Sequence, residues 1–406
     1  MRGADTRAGN APSNRQLALW AILAGVNLAS AFVVFRLTDF RTVYDWTSAW
    51  LLDGADLYSS VRQATDYPPA AIVVLSPLAT LPFTLAAWVW AIVNIALALA
   101  AAFLAARAVR ADAAWRQIAL LAATFVCWSA TRSLLQFSLL AVVFGLAGWR
   151  FADRRPWLAG VFLGLAMIKP QVALPYCLWA VVTQRWRVVP PAVITTAILW
   201  GTYCLRVSAS PVNVARDYVL TLRTMYTGPE PQTGVSELAR LAPAGWADSW
   251  TLVTALVTTA LIALTVVRQS ARHPGDGRTR LDACGLPGTI AAAVLMTFRH
   301  LSYAFVTMLP ASAFLLVGVD QVSRRWGQVL FWSLQAGLIF DVPTAYRLAL
   351  SYGFSAGWAE GLFLHFDRGL LLGWTSAMLL LQWRLAPARA TVLRRADRRE
   401  EVGSAA

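Results

Sequence analysis

The chain contains 406 residues, of which 58 % are hydrophobic and only 14 % charged, and its formal net charge is +14. So many apolar side chains, including nineteen tryptophans, cannot all be buried in one soluble core, which excludes an ordinary soluble enzyme. The composition predicts an all-α polytopic membrane protein, and a basic surface on such a protein needs no nucleic acid to explain it.

Breaks in hydropathy predict about twelve transmembrane helices in a single membrane domain over residues 1–384. The first apolar run, 17–35, is too long for a signal peptide and lacks a small-residue cleavage site, so it predicts a retained helix. A disordered basic cytoplasmic tail is expected over 385–406. The predicted spans are 16–36, 80–106, 117–131, 133–149, 156–168, 171–184, 188–206, 249–267, 286–298, 301–319, 327–342 and 366–384.

The first loop outside the membrane, residues 37–82, is rich in aspartate and aromatic residues. Residues 43–52 predict a short amphipathic helix on the membrane surface, which Gly54 ends. The sequence Tyr67-Pro68-Pro69 then predicts an extended approach to the next span. The aspartates of this loop are Asp39, Asp45, Asp53, Asp56 and Asp66.

Asp39 differs from the other aspartates because it follows the first span by two or three residues and is expected at membrane level. A carboxylate there, facing a cationic site for lipid phosphate, has the position of a general base. The alternatives are that it neutralises Arg41 or caps the loop helix.

Three apolar runs are bounded at both ends by arginines of the inner side, so each must turn back within itself. The turns are predicted at Arg132, at Lys169-Pro170 and at Arg299-His300, and Lys169 is the single lysine of the chain. One limb in each of the last two hairpins has about thirteen residues, or roughly 20 Å, against an apolar thickness of about 30 Å. Those apices are therefore expected below the outer membrane surface.

Cations at this depth are costly unless they are paired or solvated, so they indicate function. Together they could hold the phosphate of a lipid, as ammonium and guanidinium groups do. The alternative for each cation is that it reaches the interface or pairs with a neighbouring carboxylate.

The charge distribution supports this topology, because arginine bias sets orientation. With both termini in the cytoplasm, the inner segments contain 23 basic and 9 acidic residues, against 12 and 12 outside. The excess positive charge therefore falls on the inner face.

The second half carries fewer signals. Between 206 and 248 the side chains of Arg216, Tyr218, Arg223 and Tyr226 either cover an acceptor site or form an ordinary polar connector. His365 and Asp367-Arg368 are equally ambiguous. Neither a disulfide framework, a metal constellation nor a glycine-rich phosphate loop is visible, so no cofactor is expected.

Two ordered blocks stand out along the chain. The first block is Asp39-Phe40, Val43-Tyr44, Gly54, Leu57-Tyr58, Tyr67-Pro68-Pro69, Pro77-Leu78 and Leu81-Pro82. The second block is RPWLAGVFLGLAMIKPQVALP followed by RWR, and it contains Lys169, Pro170, Gln171 and Pro175. Together the two blocks resemble glycosyltransferase family 87, whose members are integral membrane enzymes of the GT-C fold. The sequence departs from the family pattern at Leu135, before Gln136, and at Ala304, after His300 and Tyr303.

The resemblance implies an inverting transfer of a hexose, with mannose favoured over a pentose such as arabinose, from a polyprenyl-phosphate donor to a lipid or glycan acceptor. The reaction would occur at the outer face of the bacterial cytoplasmic membrane, with Asp39 as the general base. Lys169, helped by Arg132, Arg299 or His300, would stabilise the leaving phosphate. The further donor-binding residues would be Tyr44, Tyr67, Gln136 and Gln171.

Two other classes also place cations at this depth. A transporter or flippase would favour matched broken helices in two halves, and no internal repeat is visible. A polymerase or ligase acting on lipid-linked glycan would use outer arginines, but a first-loop aspartate is less expected there.

Overall fold

The computed structural model describes residues 38–59, 65, 67–108 and 137–226, together with scattered positions between 286 and 377. Every regular element among these residues is helical. The chain forms two compact units, Met1–Gln232 with His300–Thr307, and Thr233–Arg299 with Met308–Ala406. Within the second unit, Gly288 is packed closely against Ala311, because a Cβ atom added at Gly288 would lie 2.6 Å from the Cα atom of Ala311. The predicted spans 16–36, 117–131 and 249–267 and the basic tail lie outside the described residues.

Among the described residues of the first unit, eight α-helices follow one another. A π-helical segment, Ala49–Asp53, continues the first helix, and a 3₁₀ turn, Trp186–Val188, precedes the seventh. The helices are α1 (Thr38–Ser48), α2 (Pro69–Ala79), α3 (Phe83–Ala108), α4 (Ser138–Phe151), α5 (Pro156–Ala166), α6 (Pro170–Val182), α7 (Val189–Val207) and α8 (Pro211–Tyr226).

Within the described ranges, two stretches are long and apolar enough to cross a membrane, Phe83–Ala105 in α3 and Trp186–Val207 at α7. Their most apolar windows are only 35 % and 22 % buried, whereas the core helix of a soluble protein would be mostly buried. The predicted helices at 80–106 and 188–206 are therefore confirmed in place, and the fold is consistent with an all-α membrane protein. The exposed large side chains of α3 are Leu85, Trp88, Ile92, Leu99 and Phe103.

Helices α5 and α6 form the predicted hairpin that turns at Lys169-Pro170. They have 11 and 13 residues, or roughly 17 and 20 Å at 1.5 Å per residue. Each helix begins with a proline. Proline loses no helical hydrogen bond at the first position, because a backbone N–H there would have no acceptor within the helix. Both limbs are thus short for a bilayer of about 30 Å, whereas the sequence predicted this for one limb of the hairpin.

The first loop is more helical than its sequence predicts. Its described helix, Thr38–Ser48 with the π-helical Ala49–Asp53, includes the predicted 43–52 and ends as predicted at Gly54, whose φ is +68°. The approach through Pro68 is extended, also as predicted. However, Pro69–Ala79 forms the helix α2, which the prediction of an open loop over 37–82 missed.

Helix α2 tolerates the internal Pro77, which removes one hydrogen bond from its last turn. The carbonyl of Val73, four residues earlier, would have accepted that bond. It accepts a hydrogen bond from Ser76 Oγ at 2.8 Å instead. The apolar face of α2 is buried against α1 and α7, so packing and this side-chain bond outweigh the proline.

Helix α4 is central to the unit, since it packs against α3, α5 and α6, while α5 also packs against α7. Gly164 allows the approach of α5 to α7, because a Cβ there would be 2.7 Å from Ala192 O. The 14 residues of α4 separate two ends of this bundle by roughly 20 Å. We call them the lysine end, with Ser138 and Lys169, and the arginine end, with Asp153 and Arg185.

Candidate active site

Lys169 lies in the turn between α5 and α6 and is only 3 % exposed. Its backbone carbonyl accepts hydrogen bonds from Val172 N and Ala173 N, at 2.9 and 3.0 Å, and so begins α6. Its Nζ donates a hydrogen bond of 2.8 Å to Ser138 Oγ, the first residue of α4. The turn therefore directs the single ammonium group of the chain into the interior at the lysine end.

The aromatic face of Tyr67 is the second described contact of this ammonium, with Nζ 5.5 Å from the ring centroid. Tyr67 is itself buried, and its ring meets Phe137 edge-on at 5.8 Å. Its carbonyl accepts a hydrogen bond of 2.6 Å from Tyr58 Oη. The structure thus brings together the first loop, the start of α4 and the α5–α6 turn around Lys169.

Asp39 is the second residue of α1 and stands directly before the buried Phe40. The Phe40 ring lies 6.4 Å from that of Phe137, the residue preceding Ser138. The start of α1 is therefore packed beside the start of α4, where Lys169 is bonded. The general-base and helix-cap roles of Asp39 both remain predictions. Arg41 lies 4.0 Å from Asp45.

Other predicted site residues are placed less directly. Tyr44 Oη donates a hydrogen bond of 2.7 Å to Leu81 O, and its ring packs edge-on against Phe83, so it fixes α1 to the start of α3. Gln171 is half-buried in the first turn of α6, two residues after Lys169. The predicted Arg132, Gln136, Arg299 and His300 lie outside the described residues.

The last turns of α7 anchor the first loop through Tyr203, which the sequence did not single out. Its ring stacks on Trp50 at 5.8 Å. Tyr203 Oη accepts a hydrogen bond from Leu57 N at 2.9 Å and donates one to Asp56 Oδ1 at 3.2 Å. The same loop therefore contacts Lys169 through Tyr67 and α7 through Tyr203.

Arg206 completes this anchor, because its guanidinium donates hydrogen bonds to Leu51 O and Leu52 O at 2.9 to 3.2 Å. Cations stabilise the C-terminal carbonyls of a helix in this way. Gly54 follows the π-helical segment and has a φ of +68°. A Cβ atom added at Gly54 would lie 2.6 Å from Arg206 Nη1, so a larger residue would crowd the guanidinium. We call Trp50, Gly54, Tyr203 and Arg206 the loop anchor.

Helix α8 is more than the polar connector that the sequence left as one alternative. Tyr218 is buried edge-on against Tyr58 and Trp200. Arg216 is exposed and donates a hydrogen bond of 3.0 Å to its neighbour Asp217. Tyr218 therefore supports the first loop, while Arg216 faces outward.

In the part of the chain that the structure describes, no three His, Cys, Asp or Glu side chains come together as metal ligands would. Ser138 is the residue nearest the lysine that sequence reasoning missed. Its signal was weak, because a single serine at the start of an apolar run is common at helix starts.

The sequence profile described as glycosyltransferase family 87 matches residues 65–286, more than half of the chain. The match includes Tyr67, Ser138, Lys169 and the α7 half of the loop anchor. The chain belongs to glycosyltransferase family 87. The resemblance predicted from the two sequence blocks is thereby confirmed.

Among curated proteins, this family 87 chain is similar to an alpha-(1->3)-arabinofuranosyltransferase of Corynebacterium glutamicum, with 28 % identity over 266 residues. The alignment covers 60 % of this chain and 60 % of the relative, so the chain spans less than two thirds of that protein's length. No solved structure matches the chain.

Proposed function

We propose that the protein is a membrane glycosyltransferase that moves a sugar from a polyprenyl-phosphate donor to a lipid or glycan acceptor. Its membership of family 87 supports the reaction class. Its two exposed, apolar helices of spanning length support a membrane setting, for which we retain the outer face of the cytoplasmic membrane. The GT-C fold with about twelve helices remains part of this proposal.

The buried Lys169 is the observation that carries the proposal. A phosphate oxygen is a ligand that an ammonium group binds through a charge-assisted hydrogen bond. The lysine side chain is long and flexible, so Nζ can exchange its bond to the neutral Ser138 hydroxyl for one to a donor phosphate. The Tyr67 ring beside it supplies an apolar wall on the loop side.

In the proposed mechanism the acceptor hydroxyl oxygen attacks the anomeric carbon from the face opposite the phosphate. The bond between the anomeric carbon and the phosphate oxygen breaks, and the polyprenyl phosphate leaves with the electron pair. Asp39 takes the proton of the acceptor hydroxyl, and Lys169 stabilises the negative charge on the leaving phosphate. Inversion at the anomeric carbon follows from the single displacement.

The remaining predicted residues have supporting roles in this proposal. Arg132, Arg299 and His300 assist Lys169 at the phosphate, and Gln136, Gln171, Tyr44 and Tyr67 bind the donor. No metal or cofactor has a part in this scheme.

Two donor sugars are candidates. Mannose is the sugar that the family resemblance predicts. The name of the Corynebacterium glutamicum relative favours an arabinofuranosyl group as the second candidate. Both donors present the same phosphate to Lys169, so the site chemistry is shared.

The test uses purified full-length protein in non-ionic detergent with an endogenous lipid extract as acceptor. Radiolabelled polyprenyl-phosphate-mannose and polyprenyl-phosphate-arabinose are supplied in parallel, beside Asp39→Asn and Lys169→Met. Arg216→Gln is the matched control, since Arg216 is exposed and bonded to Asp217. We expect one donor to be used by wild type and the control and by neither site variant.

Detergent also separates this proposal from its rivals. A transporter or flippase requires two compartments, so labelled product formed in micelles contradicts that reading. A labelled lipid-linked oligosaccharide, supplied as a third donor, tests the polymerase or ligase. Full activity of Asp39→Asn would remove Asp39 as the general base, and absence of product from every donor would overturn the proposed reaction.

A further inference from the structure

The surface of the arginine end changes its chemistry in layers along the helix axes. Arg154 and Arg155 are exposed before α5, and Arg187 is exposed before α7. Asp153 is the single acidic residue of the sequence between Asp112 and Asp217. Since Asp153 is bonded to the buried Arg185, the three exposed arginines leave this surface strongly positive.

Two exposed tryptophans form the next layer. Trp157, in the first turn of α5, is 66 % exposed, and Trp186, in the 3₁₀ turn, is 57 % exposed. Large aromatic side chains in such positions would be unfavourable in contact with water alone. At the boundary between water and lipid, however, tryptophan is enriched because its ring is apolar and its N–H is polar.

A third layer of aliphatic side chains lies further along the same helices. Val161 follows Trp157 by one turn on the same face of α5 and is exposed. On α7, the exposed Ile194 and Ile198 lie one and two turns beyond the start of the helix. On α5 the order from the arginine end is therefore cationic, aromatic and then aliphatic. At α7, Trp186 and Arg187 are neighbours in the 3₁₀ turn, and the aliphatic side chains follow them.

The two tryptophans lie on elements that are packed together. Helix α5 contacts both the 3₁₀ turn and α7. Gly160, three residues after Trp157, lies directly against Val188 O and Pro191. The layers on α5 and α7 thus belong to one continuous surface.

We propose that Arg154, Arg155, Arg187, Trp157 and Trp186 form a binding surface for anionic glycerophospholipid, which we call the Arg-Trp surface. Guanidinium groups bind phosphate through paired N–H donors, and the tryptophans lie at the level of the glycerol backbone. The aliphatic layer then contacts the acyl chains. This surface is separated from Lys169 by the length of α4, so its ligand is distinct from the sugar donor.

The test uses full-length protein in non-ionic detergent, titrated with phosphatidylglycerol or phosphatidylcholine and monitored by native mass spectrometry. We expect wild type to bind phosphatidylglycerol preferentially. The triple variant Arg154→Gln, Arg155→Gln, Arg187→Gln should lose affinity for it by roughly fivefold per arginine, because each cation near an anionic surface contributes about that factor. Arg216→Gln, which removes one exposed arginine elsewhere, should bind as wild type does.

A second measurement needs no arginine variant. Phosphatidylglycerol brominated on its acyl chains should quench the fluorescence of wild type more than that of Trp157→Phe, Trp186→Phe. Its binding to wild type should weaken as salt rises, since exposed charges are screened.

Three results would overturn the proposal. The first is equal binding of both lipids by wild type, and the second is an unchanged preference in the folded triple variant. The third is a change of oligomeric state in the triple variant with lipid binding intact, which would make the surface an interface between copies. None of these results depends on the sugar-transfer activity.

Discussion

Among the described residues, the α4–α6 bundle buries Lys169 at one end and Arg185 at the other, and the two cations are held in different ways. At the arginine end, Arg185 Nε and Nη2 donate to both oxygens of Asp153, at 2.9 and 3.0 Å, and its guanidinium lies 4.6 Å from the Trp179 ring centroid. At the lysine end, Lys169 donates to the neutral hydroxyl of Ser138. A forked bond to a carboxylate fixes geometry, whereas the bond of a flexible ammonium to a hydroxyl can be exchanged.

We therefore assign a structural role to Arg185 and retain for Lys169 the proposed role at the donor phosphate. Arg185 joins the segment after α4 to the segment after α6, which are the two inner arginine-rich loops of the predicted topology. Lys169 instead joins residues of three segments around a position where a phosphate would be bound. Substitutions at the two ends should therefore separate stability from activity.

Lys169→Met should have the largest effect on activity. It removes the ammonium and keeps a long side chain, so we expect transfer to fall by about 100-fold or more, as for the loss of one charge-stabilising donor. The free energy of unfolding should change by about 1 kcal/mol or less, because methionine is close in volume and carries no charge into the interior. Transfer assays and thermal unfolding in detergent measure both quantities. If Lys169→Met kept most of the transfer activity, the proposed difference in role between Lys169 and Arg185 would be wrong.

Arg185→Met should show the opposite pattern. It leaves Asp153 without its forked partner, but that side chain is 55 % exposed and water takes over part of the interaction. We expect stability to fall by about 2 kcal/mol, with transfer per folded molecule unchanged. Arg187→Met, at an exposed neighbouring arginine, is the matched control and should unfold as wild type does. Lost transfer with normal stability would contradict a structural role.

Tyr203→Phe tests the support of the lysine end by the loop anchor. The change keeps the stacking on Trp50 but leaves Leu57 N without its acceptor, which should cost about 1.5 kcal/mol of stability. Tyr176→Phe is the matched control, because its buried hydroxyl has no hydrogen-bond partner among the described residues. The control should be neutral or stabilising in thermal unfolding. Equal destabilisation by both changes would count against the anchor.

Ser138→Ala should have the smallest effect. The hydroxyl holds the ammonium before the donor binds, and the phosphate replaces it afterwards, so transfer should fall by only about fivefold, the value of one neutral hydrogen bond. Ser138→Thr retains a hydroxyl and should be closer to wild type. A loss as large as that of Lys169→Met would mean that Ser138 itself contacts the donor. Ser138 and Lys169 would then both bind the donor at the lysine end.

The sequence predicted the local features of the lysine end well, because prolines and isolated cations act over a few residues. Pro170 was enough to place the turn and Gly54 the end of the loop helix. Helix α2 was missed because its prolines indicate loops, while Ser76 and packing against α7 compensate for them.

Contacts between distant segments could not be predicted. Ser138 and Lys169 are 31 residues apart, and Leu57 and Tyr203 are 146 apart. No local pattern marks a serine or a tyrosine as the partner of so distant a group. Asp39 was chosen for its position after the first span, and its role as general base remains a prediction.

The loop anchor also has a consequence for the design of chimeras between family members. Trp50 and Gly54 belong to the first loop, whereas Tyr203 and Arg206 belong to the end of α7. A chimera that imports a foreign first loop without the matching α7 end would lose the stacked ring and crowd the arginine. Swaps of acceptor or donor preference should therefore move the loop and the last turns of α7 as one cassette.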